Sequence, residues 1–134
     1  MAGKIIADTL EHSTAGSIAT NYVVEGSAKA WVNFNGSGTI AARDSFNVSS
    51  LTDNGGGDYS VNFSNSFGNI NYSMGGWCGF PGSRGAIFGD DASHPTIYAT
   101  GTFRLRTSYV NGTNGEVAPF DVTYANEIFH GDLA

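Results

Sequence analysis

The sequence predicts an all-β protein, an antiparallel β-sandwich of about seven to nine short strands. Three observations predict it. Apolar and polar residues alternate over short runs; Asn/Gly clusters separate those runs; and no stretch carries the 3.6-residue period of a long helix. No fixed-length repeat recurs, which disfavours a solenoid or a propeller.

Ala28 to Phe63 holds the clearest strand–turn–strand signal. Ala30, Val32 and Phe34 alternate with Trp31 and Asn33, so large residues occupy both faces of this strand. That pattern predicts burial on two sides, with Trp31 and Phe34 as candidate oligomer-interface residues beside the sandwich core. Asn35-Gly36-Ser37-Gly38 reads as a turn, and Thr39 to Ala42 as a short second strand. Arg43 and Asp44 face opposite sides of a strand and are expected to pair with cross-strand neighbours. Phe46 and Val48 alternate, Asn54 to Gly57 forms a turn, and Tyr59, Val61 and Phe63 alternate again, which is a hairpin pattern. Between the arms of that hairpin the phase slips by one residue, because Ser50 is polar and Leu51 apolar. A slip of one reverses every later side chain unless an extra residue is absorbed, so a β-bulge is expected at Ser49-Ser50.

Asn71 to Met74 continues the sheet. Gly75 to Gly85 contains five glycines and one proline, which argues against a regular strand interior. Trp77, Phe80 and Arg84 lie there and are the residue types that dominate recognition surfaces. They read either as a receptor- or partner-binding loop or, for the two rings, as a plug in the end of the sandwich. Ile87-Phe88 reads as a brief strand, Gly89 to Pro95 as a loop, and Thr96 to Thr107 as one long strand kinked at Gly101. On that strand Phe103 and Leu105 share one face and Arg104 and Arg106 the other. Asn111 to Gly115 is a turn. Phe120, Val122 and Tyr124 alternate on a following strand, and Glu127 to Gly131 closes the chain.

Residues 1–27 differ from the β-rich segment 28–134. They read as an extended or partly helical arm, with a short strand near Tyr22-Val23-Val24. Ile5, Ile6 and Leu10 are its candidate docking residues; a tail that orders only against neighbours is the alternative. The first residues lack the sustained apolar core of a secretion signal.

The 134 residues fit one domain. Only 13% are charged, against about a quarter in an ordinary soluble domain. Either neighbouring protein covers part of the surface in an oligomer, or Asn, Ser, Thr and Gly dress it. The net charge of -6 and the scattered cations argue against nucleic acid. No apolar run reaches the length of a membrane helix. His12, His94 and His130 are far apart in sequence, the lone Cys78 reads as a packed residue, and Asp90-Asp91 lacks the further oxygens of a calcium loop. The reading is therefore a non-enzymatic chain without catalytic residues, metal or cofactor.

KAWVNFNG at Lys29–Gly36, RDSFNVSSLTDNG at Arg43–Gly55, GDYSVNF at Gly57–Phe63, NINYSM at Asn69–Met74 and DVTYANEIFHG at Asp121–Gly131 resemble a β-rich module of tailed-bacteriophage tail-fibre and other virion appendage proteins, notably of marine and cyanobacterial phages. Residues 75–95 match it poorly. The resemblance implies a homotrimeric tip or surface domain on the particle, made in the host cytoplasm, that contacts other virion proteins of the capsid, portal or tail. It implies contact with a host-surface glycan or protein, or alternatively a role as a capsid decoration protein. It transfers no catalytic residue.

Overall fold

The computed structural model describes residues 3, 6–79, 86–89, 97–110 and 117–134. They form twelve strands and one short helix: β1 Thr9–His12, β2 Gly16–Ala19, α1 Thr20–Gly26, β3 Ala30–Asn35, β4 Ala41–Phe46, β5 Val48–Gly55, β6 Asp58–Phe63, β7 Ser73–Gly79, β8 Ala86–Gly89, β9 Ile97–Tyr98, β10 Thr102–Val110, β11 Val117–Pro119 and β12 Tyr124–His130. The all-β expectation holds, with two antiparallel sheets arranged as a sandwich. The strands outnumber the seven to nine expected because the arm forms its own hairpin and several strands are very short.

Sheet I runs β4-β3-β12-β7. In sheet II, β5 pairs with β6 and β6 with β10. Residues 103–104 of β10 pair with both β6 and β9, and residues 108–109 with both β8 and β11. Strand β10 therefore carries β6 and then β11 along one edge, and β9 and β8 along the other.

Alternation in β3 sends Ala30, Val32 and Phe34 into the core, and Ala125 and Phe129 of β12 join them. Tyr59, Val61, Phe63, Phe103 and Leu105 face them from sheet II. Phe34 is fully buried within its own chain and meets Tyr59 edge-on at 5.3 Å. It is a core residue and has no surface to offer an oligomer interface, which corrects the expectation for it. Edge-on ring contacts of this kind add to simple area burial. At the other end Phe63 packs edge-on against Phe67 at 4.9 Å and Phe129 at 5.1 Å, while Phe67 stacks on Tyr72 at 4.4 Å. Burial pushes the Tyr72 hydroxyl up to about 12, and that hydroxyl donates to the Ala99 carbonyl at 3.1 Å.

Phe46 and Val48 do not share a strand. Between them Asn47 adopts a left-handed backbone, φ 55, a conformation that Asn tolerates better than most residues. There the chain leaves sheet I and enters sheet II. The Asn47 amide donates to the carbonyls of Lys29 (3.0 Å) and Asn65 (3.1 Å), and its Oδ1 accepts from the Asn65 backbone N–H at 2.7 Å. Beyond it the expected bulge is present: the β5–β6 register jumps between Val48 and Ser50, leaving Ser49 as the extra residue. A second bulge makes Arg43 the extra residue of β4.

One polar knot ties the sheets together. Asp121 Oδ1 accepts from the Gly57 N–H at 2.7 Å and lies 2.9 Å from the Tyr59 hydroxyl, which also reaches the Gly36 carbonyl at 3.0 Å. Gly57 has φ 68, and a Cβ there would stand 2.6 Å from the Phe120 backbone nitrogen. No L side chain fits that position.

Several segments depart from expectation. Gly75 to Gly79 is regular strand, paired along β12 from Ser73 to Gly79. It forms the edge of sheet I, where absent side chains leave room for those of its neighbours. Thr96 to Thr107 is not one kinked strand: the chain reverses around residues 99–101, so β9 pairs back on β10. Phe120 and Val122 lie between β11 and β12 as the chain passes between sheets. Tyr22 to Val24 is helical, not strand. Phe80, Arg84, Ile5, Asp90, Asp91, His94 and the turn at 111–115 lie outside the described residues.

Glu127 is buried on the inner face of β12 between Ala125 and Phe129, and among the described residues neither carboxylate oxygen has a hydrogen-bond partner. Burial pushes its pKa from 4.5 up to about 8. It also raises the neighbouring Cys78 thiol, to about 11.

Replacing Gly57 by Ala is expected to destabilise the fold by about 2–4 kcal/mol in urea unfolding. Because the folded carboxyl of Glu127 holds its proton more tightly than the unfolded one, its contribution is complete below pH 4.5 and is lost as pH rises through 8. Folding free energy should fall by about 1.4 kcal/mol per pH unit across that window, and Glu127→Gln should flatten the urea-midpoint profile.

Candidate functional site

The two outer faces of the sandwich differ in chemistry. On sheet II the exposed side is a self-satisfied polar ladder. The Asn62 amide donates to Ser50 Oγ (3.0 Å) and Thr52 Oγ1 (3.1 Å), Asn54 donates to Ser60 Oγ (2.9 Å), and Arg104 forks onto Asp58 at 2.8 and 2.5 Å. Asp58 is buried beneath the Arg104 guanidinium. These groups satisfy one another and leave little for a partner.

The outer face of sheet I is aromatic. Strand register sets its side chains in rows, because directly paired residues point to the same side. One row is Phe46, Trp31, Ile128, Gly75; the next is Asp44, Asn33, Asn126, Trp77. Tyr124 and Gly79 begin a third. Trp77 is 61% exposed, Phe46 54%, Tyr124 43% and Ile128 40%, while Trp31 is half-buried.

Glycines on β7 shape this face. A Cβ on Gly79 would lie 2.7 Å from Trp77 Cζ2. The indole therefore occupies the space that a side chain at position 79 would need, while most of it stays exposed. A Cβ on Gly75 would stand 3.7 Å from Ile128 Cγ2. The bulge at Arg43 aims its guanidinium across the sheet: it sits 4.6 Å from the Tyr124 ring centroid and donates to Asn33 Oδ1 (3.1 Å) and to the carbonyls of Phe34 (2.6 Å) and Thr123 (2.6 Å). A cation held over a ring face both fixes the ring and covers it. Arg43 thus reaches partners on other strands, as expected, whereas Asp44 does not: it accepts from the adjacent Ser45 N–H at 2.8 Å, and the bulge leaves both residues on this one face.

Of the residues singled out in the sequence, Trp31 and Trp77 meet on this one face, and Phe34 does not. Sequence reasoning missed Phe46, Tyr124, Ile128 and Asn126: which strands adjoin, and in which register, decides that they share this face. A separate cleft of about 260 Å³ opens between β4 and β5, lined by Ile40, Ala42, Ser45, Val48, Ser50 and Leu51. Ile40, Val48 and Leu51 pack on the core, so this cleft is the gap where the two sheet edges diverge.

The arm is a second candidate surface. In the hairpin Leu10 pairs with Ile18, and a concavity of about 290 Å³ lies along it beside His12 and Ser17. Ile6, Leu10, Ile18, Tyr22, Val23 and Val24 are all exposed.

Among the described residues no three His, Cys, Asp or Glu side chains converge as a metal set, and no helix is long and apolar enough to cross a membrane. His130 ends β12. The chain matches no family model, no curated protein and no solved structure.

Replacing Gly79 by Ala should lift the Trp77 indole off the strand. Tryptophan emission and acrylamide quenching are expected to rise in accessibility, with the unfolding midpoint moving by less than about 1 kcal/mol because β7 is an edge strand.

Proposed function

We propose that this chain is a non-enzymatic structural protein of a tailed-bacteriophage virion, a tail-fibre or capsid- or tail-attached fibre-tip domain that meets the host surface. The observation that carries this reading is the division of the chain into a head whose apolar core closes upon itself and an arm whose large apolar side chains, among the described residues, are exposed. Among the described residues the core cluster begins at Ala30. Every residue of β1 and β2 is exposed, and α1 has no buried residue. A two-stranded hairpin and a seven-residue helix are marginal alone in water. Such an arm gains stability by docking, on other copies and on virion protein of the capsid, portal or tail.

The low charge of the chain and the resemblance of its strands to virion appendage modules support the same reading, with a homotrimer as the working unit displayed at the particle surface after synthesis in the host cytoplasm. A second reading, a capsid decoration protein, draws on the same arm laid against the capsid lattice. Its position and copy number in a cryo-EM map of the particle separate the two.

At micromolar concentration, light scattering after size exclusion should give a trimer. The double variant Leu10→Glu/Ile18→Glu should shift it to monomer, with an unchanged melting temperature for the head. A wild-type chain that runs as a monomer, with no self-contact on particles, defeats the assembly reading.

A further inference from the structure

We propose that the outer face of sheet I is a saccharide platform that takes a neutral pyranoside chain, with Trp77 as the stacking surface and Asn126, Asn33 and Asp44 as partners for its hydroxyls. This deepens the reading of the head as the part that meets a host surface, and rests on it. A pyranose is amphipathic: C–H groups make apolar patches on its ring faces, and hydroxyls ring its rim. A surface that recognises it needs exposed aromatic faces and hydrogen-bonding groups side by side.

Sheet I presents that combination. The Trp77 indole, set beside Gly79, is 61% exposed. In its own row stand Asn126, Asn33 and Asp44, with Phe46, Trp31 and Ile128 in the row beside them. The polar groups keep bonding capacity in hand. No hydrogen bond ties the Asn126 side chain among the described residues. Asn33 uses Oδ1 to accept from Arg43 and keeps its Nδ2 protons for another acceptor, and Asp44 accepts only from the adjacent N–H. On the opposite face of the same sandwich the polar groups of β5 and β6 instead bond one another.

The amide row also selects among occupants. Covered by an apolar protein surface, it would lose water without replacement, which is costly for each group; hydroxyl-rich ligands replace that water. Charge selects further. Arg43 and Asp44 offset each other on the face, and the chain carries -6 overall, which disfavours anionic polymers.

Both tryptophans of the chain, Trp31 and Trp77, lie on this face, so intrinsic emission reports on it alone. The full-length protein is to be screened on an array of neutral and acidic oligosaccharides that includes maltohexaose, cellohexaose, the N-acetylglucosamine hexamer and an alginate hexamer, and the hits titrated by tryptophan fluorescence. The expected result is binding of a neutral oligosaccharide with a change in emission, weakened about tenfold or more by Trp77→Ala and less by Asn126→Ala, with melting temperatures unchanged. Absence of any neutral ligand at millimolar concentration overturns the proposal. So does binding that Trp77→Ala leaves intact, or a Trp77→Ala variant that loses self-association but not saccharide, since the face is then an interface between copies. A monomeric chain that still binds saccharide through Trp77 defeats the assembly reading and leaves this one standing.

Discussion

The architecture hangs on the backbone reversal at Asn47. A strand that continued straight from Phe46 to Val48 would keep both side chains on one face of one sheet. The left-handed residue between them instead hands the chain from sheet I to sheet II, so that Val48 turns toward the core while Phe46 stays outside. The side chain of Asn47 makes the reversal durable. It bridges the carbonyls of Lys29 and Asn65, residues that flank the entry to β3 and the exit of β6. A backbone conformation unusual for a non-glycine residue persists when its surroundings over-determine it, and here four hydrogen bonds of one amide do so.

From that reversal follows the separation of roles between the two outer surfaces. Sheet II receives the Ser, Thr and Asn residues of β5 and β6, which pair laterally and finish their hydrogen bonding among themselves. Sheet I receives Phe46 beside Trp31, with the glycines of β7 clearing space for Trp77. Glu127 is buried on the inner face of β12 between Ala125 and Phe129, and burial favours its protonated, uncharged form.

Much of this was legible in the residues. Alternation grouped Tyr59, Val61 and Phe63 of β6, and Phe103 and Leu105 of β10, each on one face, and both sets point inward; the phase slip at Ser49-Ser50 located the bulge. Both are local consequences of a period of two. What escaped was set by tertiary context. Gly75 to Gly79 reads as a loop because glycine carries no strand preference, yet an edge position beside β12 needs backbone pairing and little side-chain volume. Phe34 looked like one of two exposed large residues on β3, but the opposite sheet supplies Tyr59 to cover it. The grouping of Trp31, Phe46, Trp77 and Tyr124 depends on which strands adjoin, and no spacing along the chain encodes that order.

The bulges on β4 and β5 have a consequence for crowding. Both strands are sheet margins with open backbone groups, the kind of border along which like molecules zip into continuous ribbons. In each, the surplus residues sit on the marginal strand itself, Arg43 on β4 and Ser49 and Asn54 on β5. The ladder that a neighbouring molecule would have to copy is therefore interrupted on both margins, and copies packed closely together would stay discrete instead of polymerising side by side.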